Sequence, residues 1–506
     1  MERPRFDPES EREFIARGWW RDDDTLSRWL ARHAAARPGA PALDSGAGVL
    51  TWAALQERVL RVAGGLKARG LKAGDVIAVQ LPNVPEFLVA HLAIARLGAV
   101  MCTLHMPYRD AEIEALLGHS GARAAFCTPK AAESFRSRLQ TVIEAGPEFE
   151  ALARSAPLGA DHPEPDARDP FLLLYTSGTT AAPKGVVHAY RTMLGNSRLG
   201  SREHRLGELD RILCAAPFSH LYGLYSLHCA WAVGACTVLL PAFVPADLAL
   251  TVDKQKPTAL WCGPAHLAAV RAQGLFEKHD WSSLRLAIVS GSRASPELMR
   301  GFAAKLPACA VTQLWGMTEI QAGLYTRPGD PQEIYTACAG RPSPGTEIRL
   351  GEGGELQVRG PLLFSGYLDN PAATRNAFTD DGWFCTGDLG EKRNGNYFAI
   401  VGRNKDIINR GGVKFNPADI EALLEAHPQV LQAAVVPMPD PILGEKACAF
   451  VTLKPGAAAP ALEELVAYLL EQRIAKNKLP EKLVVIDEMP LTPTRKIIKG
   501  RLRIPD

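Results

Sequence analysis

The sequence lacks the marks of several large protein classes. None of its ten cysteines, scattered from Cys102 to Cys448, forms a C-x-x-C pair, so neither a zinc site nor a redox dithiol is indicated. Charge of one sign is also missing. Lys and Arg number 57 against 55 Asp and Glu, a formal net charge of +2. A nucleic-acid binder usually shows a strongly basic balance, so no nucleic-acid partner is expected, although overall charge does not speak to a local patch. From Ile212 to Ala246 there is no Asp, Glu, Lys or Arg. A membrane span needs roughly 20 predominantly apolar residues, but this run is broken by Pro217, Ser219, His220, Gly223, Ser226, His228 and Pro241. It reads as a strand, a buried helix and a second strand, CTVLL, inside a large core. Met1 is followed by charged, helix-like sequence, which predicts no signal peptide. Unpaired thiols then fit a reducing cytoplasm.

What is present is a chain of 506 residues, too long for one ordinary core, so two or more domains are expected. Leu55, Val59, Val62 and Leu66 recur at helical spacing. The apolar strand VIAVQL follows, then a helix over 86–98 and a strand over 122–127. The alternation returns as LRLAIVSG (284–291), a helix over 295–306 and AVTQLWG (310–316). This predicts an α/β protein whose large N-terminal domain holds mostly parallel sheets covered by helices. Ligands of such sheets bind at the carboxyl ends of strands, where the loops after Tyr175, Ser290 and Leu314 are expected. After about residue 345 short strands separated by Gly and Asn turns suggest a β-rich subdomain. From Arg403 a compact α+β unit can be read, with a hairpin turning at Gly411-Gly412 and a helix capped by Asn416 with Pro417 at its first position. The expected domains are 1–402 and 403–506, the second small and mobile.

The stretch LLLYTSGTTAAPKGVVH (172–188) reads as a buried strand running into a phosphate loop. It is not a Walker motif: counted from Gly178, Pro183 stands at the second glycine and Gly185 where Ser or Thr would bind magnesium. The hydroxyls of Thr176, Ser177, Thr179 and Thr180, the turn at Gly178 and the charge of Lys184 still suit phosphate. A solvated Ser/Thr/Gly turn is the plainer alternative. Four further stretches keep it company: QLWGMTE (313–319), WFCTGDLG (383–390), GRNKDIINRGGVKFNPADIE (402–421) and LTPTRKIIKGRLR (491–503). Together the five, in this order, closely resemble the motifs of the adenylate-forming superfamily: acyl-CoA ligases, adenylation domains of peptide synthetases and firefly-type luciferases. The resemblance spans essentially the whole chain.

The resemblance implies activation of a carboxylic acid by ATP to an acyl-adenylate, then attack by a thiol. A carboxylic acid with a pKa of about 4 is already ionised at neutral pH. The first step therefore asks for positioning and electrostatic stabilisation rather than a general base. By resemblance, Thr176, Ser177, Gly178, Thr179, Thr180 and Lys184 would cradle the phosphates. Thr318 would contact the α-phosphate and Glu319 would hold Mg²⁺, a hard cation that prefers carboxylate oxygen. Trp315, beside Gly316, would stack on adenine while the backbone of Ser290, Gly291, Ser292 and Arg293 reads its edge. Asp388 would accept from both ribose hydroxyls, with Arg403 assisting. Lys496 would bridge acid and α-phosphate as a mobile point charge. Lys405 would be the hinge between half-reactions, and Gly411 and Gly412 would approach the tunnel of the thiol. His220, in PFSHLYG, matches a position between acid pocket and tunnel. Out of these motifs each residue has a plain alternative: core for Trp315, a solvated charge for Glu319, a turn for Asp388, a satisfied core histidine for His220. Two positions depart from the family pattern. Ala181 stands where glycine is usual, and Arg495 precedes Lys496 in place of glycine.

The N-terminal segment and KDIINRGGVK look most like the aryl-acid branch of the family. Its siderophore enzymes carry Asn after the pocket histidine to bond the acid's 2-hydroxyl. Leu221 offers an apolar wall instead. The expected acid is therefore aromatic, alicyclic or medium-chain without a 2-hydroxyl, with His220, Leu221, Tyr222, Gly223, Trp261 and Gly291 as pocket candidates. Free coenzyme A is the expected acceptor. A carrier-protein loader, a luciferase-like oxygenase and a catalytically inactive nucleotide-binding protein are the alternatives. Monomer and homodimer both stay open.

Overall fold

The structure is a computed structural model that describes residues 6–176, 184–393, 395–492 and 496–505. Two compact units divide the described residues. The first takes in the chain up to Thr176, the chain from Lys184 to Glu347, and Arg359–Ala377. The second takes in Ile348–Val358 and the chain from Phe378 onward.

The first unit contains two twisted sheets. In the seven-stranded one the strands Val76–Gln80, Val100–Thr103, Ala122–Cys127, Thr141–Glu144 and Pro170–Tyr175 run parallel. Every residue of Val76–Gln80 and Pro170–Tyr175 is buried, as expected of strands covered on both faces. In the nine-stranded sheet, Arg211–Cys214, Ala259–Cys262, Leu286–Val289 and Ala310–Met317 form the parallel centre. Both sheets turn antiparallel towards an edge. Pro170–Tyr175 is followed by Gly185–Ala189 at its side, and Ala310–Met317 by Gln321–Tyr325. Two of the motif loops thus lie at strand ends as expected, but inside hairpins. The strand read as 310–316 runs on to Met317, so Trp315 and Gly316 lie within it and not in a loop after Leu314.

The charge-free stretch becomes the strand Arg211–Cys214, the helix Leu221–Val233 and the strand Cys236–Val238. Residues 221–231 of the helix are all buried. Without a charged residue it has no face to give to water, and each large side chain enclosed there contributes roughly 1.5–3 kcal/mol over an exposed one. No helix among the described residues is long and apolar enough to cross a membrane. All ten cysteines carry free thiols, nine of them buried.

The second unit carries a four-stranded sheet ordered Glu347–Leu350, Glu355–Arg359, Phe384–Lys392, Phe398–Arg403, and a five-stranded sheet built on the long hairpin Val430–Asp440 and Gly444–Leu453. Ile408, Phe415, Ile420, Leu424, Val435 and Leu465 share the small core of the latter. The sequence-read line between 402 and 403 falls within the strand Phe398–Arg403, one residue before its end, and both sheets lie in the second unit. Asn416 accepts from the N–H of Ala418 at 3.0 Å. The helix starts at Ala418, with Pro417 as its cap, one residue later than read.

Candidate active site

The phosphate-loop motif begins and ends on neighbouring strands. The Thr176 N–H donates to the Lys184 carbonyl at 3.1 Å, and the Lys184 N–H reaches the Thr176 hydroxyl at 3.4 Å. This closes the neck of the loop. Ser177, Gly178, Thr179, Thr180 and Ala181 lie outside the described residues.

The second motif turns at Thr318–Ile320, between Ala310–Met317 and Gln321–Tyr325. A Cβ at Gly316 would fall 1.7 Å from the Gln321 carbonyl oxygen, so only glycine lets the hairpin close here. Three groups from neighbouring segments hold the turn. His188 Nε2 donates to the Thr318 carbonyl at 2.8 Å, the Phe364 N–H donates to the Glu319 carbonyl at 2.8 Å, and the Tyr367 hydroxyl donates to Glu319 Oε1 at 2.9 Å. Glu319 is buried. Burial drives the His188 imidazole down to about 4, so it is neutral and carries its proton on Nε2. The Lys184 ammonium lies 4.7 Å from the centroid of the Tyr367 ring. His188 and Tyr367 went unnoticed in the sequence. Each acts through a partner 130 or 48 residues away, and no local pattern announces such a pairing. Trp315 is buried, its ring facing the backbone of Gly323.

His220 caps the buried helix Leu221–Val233, its Nδ1 accepting from the Tyr222 N–H at 3.3 Å. In a neutral ring this leaves the proton on Nε2. The segment before it is clamped from the seven-stranded sheet. Asn83 bonds Phe218 N–H and the Ala216 carbonyl, the Thr103 hydroxyl donates to the Ser219 carbonyl at 2.8 Å, and His105 Nδ1 meets the Ser219 hydroxyl at 2.9 Å. The His105 and His220 rings stack at 6.1 Å. Burial takes His105 down to about 4. Leu221 and Tyr222 are buried at the head of the helix, and Gly223 follows them. The Tyr222 hydroxyl donates to the Ile288 carbonyl at 2.6 Å, so a backbone oxygen occupies its one proton. Trp261 is fully enclosed, edge-on to the His204 ring 6.4 Å away. It is a core residue with no surface open to solvent. Ser290 is buried at the end of Leu286–Val289, Gly291 is half-buried and Ser292 is exposed.

In the second unit Asp388 and Arg403 face each other across paired strands. Arg403 Nε lies 2.7 Å from Asp388 Oδ1, and the carboxylate is buried. Lys496 pairs with Thr492: its N–H donates to the Thr492 hydroxyl at 2.9 Å and its carbonyl accepts from the Thr492 N–H at 2.8 Å. Arg495 lies outside the described residues. Desolvation lowers the Lys496 ammonium to about 8, the Arg403 charge adds to this, and Asp388 opposes it. Lys405 sits in the short helical turn Asn404–Asp406. Lys499 pairs with Glu421 at 2.6 Å and lies 3.8 Å from Asp406, tying the C-terminal tail to that turn. Gly411 and Gly412 adopt φ of +59° and +85° between Ile408–Arg410 and Val413–Phe415, the left-handed pair that a two-residue hairpin needs.

The described residues hold no cluster of three or more His, Cys, Asp or Glu that could cage a metal. A single buried carboxylate such as Glu319 suits Mg²⁺, which keeps its waters and shares ligands with phosphates.

Residues 30–368 match the AMP-binding enzyme family, and residues 419–496 match the C-terminal domain of AMP-binding enzymes. The sulfoacetate–CoA ligase of Cupriavidus necator is 33% identical, covering 95% of this chain and 97% of its own. The indoleacetate–CoA ligase of Aromatoleum aromaticum is also 33% identical, over 94% of this chain and 97% of its own. The crystal structure of ATP-bound MatB from Rhodopseudomonas palustris superposes with a TM-score of 0.87 at 27% identity, over 94% of this chain and 98% of its own. With its sheets, its paired motif hairpins and relatives matched from end to end, the chain belongs to the AMP-binding enzyme family, in the acyl-CoA ligase branch of the adenylate-forming enzymes.

Proposed function

We propose that the protein activates an apolar carboxylic acid with ATP and transfers the acyl group to coenzyme A. In the first half-reaction a carboxylate oxygen attacks the α-phosphorus. The bond to pyrophosphate breaks, leaving acyl-AMP. In the second the thiol sulfur attacks the acyl carbon, AMP leaves and the thiol proton is released. The observation that carries this reading is the meeting of two motifs at one side chain. Lys184, the charge of the phosphate loop, and Glu319, the carboxylate of the second motif, both touch Tyr367.

Thr176, Lys184 and the loop hydroxyls between them hold the β- and γ-phosphates. Thr318 meets the α-phosphate from a turn that His188 keeps in place. Glu319 holds Mg²⁺, which when bound neutralises charge on the phosphoryl oxygens. Trp315 and the Ser290–Arg293 backbone receive adenine, and Asp388, oriented by Arg403, receives the ribose. Lys496 stabilises the charge that grows on the α-phosphate during attack. Residues 403–506 turn about Lys405 between the half-reactions, which brings Gly411 and Gly412 to the thiol tunnel. His220 orients the acid.

For the acid, Leu221 is apolar and the Tyr222 hydroxyl is bound to a strand carbonyl. Side chains at 221 and 222 with no spare donor reward an aromatic, alicyclic or medium-chain acid over one with a 2-hydroxyl. The test is pyrophosphate–ATP exchange, first without acid and then across a panel of benzoates, cyclohexanecarboxylate and C6–C10 acids, followed by coenzyme A with detection of the thioester. Exchange that no acid stimulates would leave an inactive nucleotide-binding protein. Adenylate without thioester would point to a carrier protein as acceptor.

A further inference from the structure

Tyr367 touches two groups to which the proposed function gives different tasks, and that function gives Tyr367 none. It lies on the two-residue strand Gly366–Tyr367, in register with Val186. Flanking bonds fix it: Ser365 N–H to the Val187 carbonyl at 2.8 Å and Leu368 N–H to the Gly185 carbonyl at 2.7 Å. The Thr374 hydroxyl accepts from the Tyr367 N–H at 3.0 Å. The side chain is only 8% exposed. Its backbone is therefore anchored to the strand that follows Lys184, while its hydroxyl reaches a turn of the other sheet.

We propose that Tyr367 is a positioning residue that tunes the site for the divalent cation accompanying ATP: its hydroxyl fixes the Glu319 carboxylate and its ring face seats the Lys184 ammonium. The inference rests on the roles proposed above for Glu319 and Lys184. A phenol that donates to one carboxylate oxygen restrains the plane of the group, and an ionised carboxylate has lone pairs beyond that bond with which to meet a cation. A bond of this kind to an ionised acceptor, away from water, is stronger than a neutral one. The ring attracts an ammonium through its quadrupole. The two opposite charges are thereby kept at the two ends of one rigid side chain instead of neutralising each other. A phenol, with an ordinary pKa of about 10, is protonated at neutral pH, so the hydroxyl is a donor. The backbone bond from Phe364 to the Glu319 carbonyl fixes the main chain, and the Tyr367 hydroxyl acts on the carboxylate itself.

Calorimetric titration of ATP into the full-length protein, once with Mg²⁺ and once with excess EDTA, separates the two effects without turnover. The ratio of the two dissociation constants is the enhancement due to the cation. Tyr367→Phe removes only the hydroxyl. It is expected to lower that enhancement about tenfold and to leave ATP affinity in EDTA within about twofold, because the ring remains. Tyr367→Leu should in addition weaken binding in EDTA by about threefold. Glu319→Gln should remove the enhancement altogether, and Tyr367→Phe added to it should change nothing further. An undiminished enhancement in Tyr367→Phe, with Glu319→Gln still losing it, overturns the role of Tyr367 and leaves the proposed function standing. Equal weakening of ATP in both solutions by Tyr367→Phe overturns it too, since that is the effect of general disorder. Full enhancement in Glu319→Gln overturns the assignment of Glu319 and this inference with it.

Discussion

In the large unit the candidate groups are seated on buried strands and held mostly by neutral hydrogen bonds to backbone: His188 on the Thr318 carbonyl, Thr103 on the Ser219 carbonyl, Tyr222 on the Ile288 carbonyl. In the second unit they are held by charge: Arg403 with Asp388, and Lys499 with Glu421 and Asp406. Bonds of the first kind cannot be rearranged without opening a sheet, and a buried group left unbonded costs about 1–3 kcal/mol. Partly exposed ion pairs are worth less and re-form easily. The large unit is thus built to keep one geometry. Under the proposed function, groups carried by the second unit's tail and hairpin serve in turn.

The contrast breaks most visibly at Lys496. Lys496→Ala is expected to slow acyl-adenylate formation by two to three orders of magnitude, on the order of what removing one transition-state donor costs. Thioester formation from supplied acyl-adenylate should change by less than about threefold. Equal loss in the two half-reactions would show that the tail serves both. Next is Gly411. A side chain there would have to hold φ of +59° with its Cβ 3.1 Å from Leu443. Gly411→Leu should slow the thiol step by about ten- to a hundredfold while pyrophosphate exchange is largely kept, as expected of a group that one half-reaction alone uses. An equal fall in exchange would refute the tunnel assignment.

For the large unit the expected result is different in kind. His188→Ala leaves the Thr318 carbonyl unbonded in a partly buried place and opens a cavity where the buried imidazole was. It should destabilise the protein by about 2–4 kcal/mol in urea titrations and lower both half-reactions together. Loss of one half-reaction alone, at unchanged stability, would erase the distinction between the units. The smallest effect is that of pH. The Lys496 ammonium, at about 8 in the folded protein against an ordinary value of 10.5, loses its proton first in the native state. Adenylation by the second unit's lysine should therefore fall as pH rises through about 8, whereas transfer from supplied acyl-adenylate should not follow that curve. Between about 8 and 10.5 the unfolded chain holds the extra proton, so this group's contribution to stability rises with pH across that window. Rates of both half-reactions between pH 7 and 9.5 check the first point.

Much of this was legible in the chain itself. The alternation of apolar strands and helices gave the α/β class, and the charge-free stretch read correctly as strand, helix and strand because a segment without charge can only be core. Gly411-Gly412 declared its hairpin through backbone chemistry. Other features were out of reach. The run of Ala310–Met317 through Trp315 into an antiparallel return is fixed by pairing with Gln321–Tyr325, and a strand's end is set by its neighbour as much as by its own residues. The cap at Pro417 instead of Asn416 turned on one residue of backbone angle. Trp261, named as a pocket candidate, is fully enclosed in the fold with the His204 ring beside it.

The sequence by itself determined the family, the order of the motifs and the residue types available for phosphate, ribose and acid, since these depend on local spacing and on side-chain chemistry. Only the tertiary structure decided what holds them. That Tyr367 joins Lys184 to Glu319, that His188 carries the Thr318 turn and that Ser219 is clamped from another sheet all depend on strand register. A shift of one residue would turn each of these side chains to the opposite face, and register is a property of the packed sheets, which no single segment encodes.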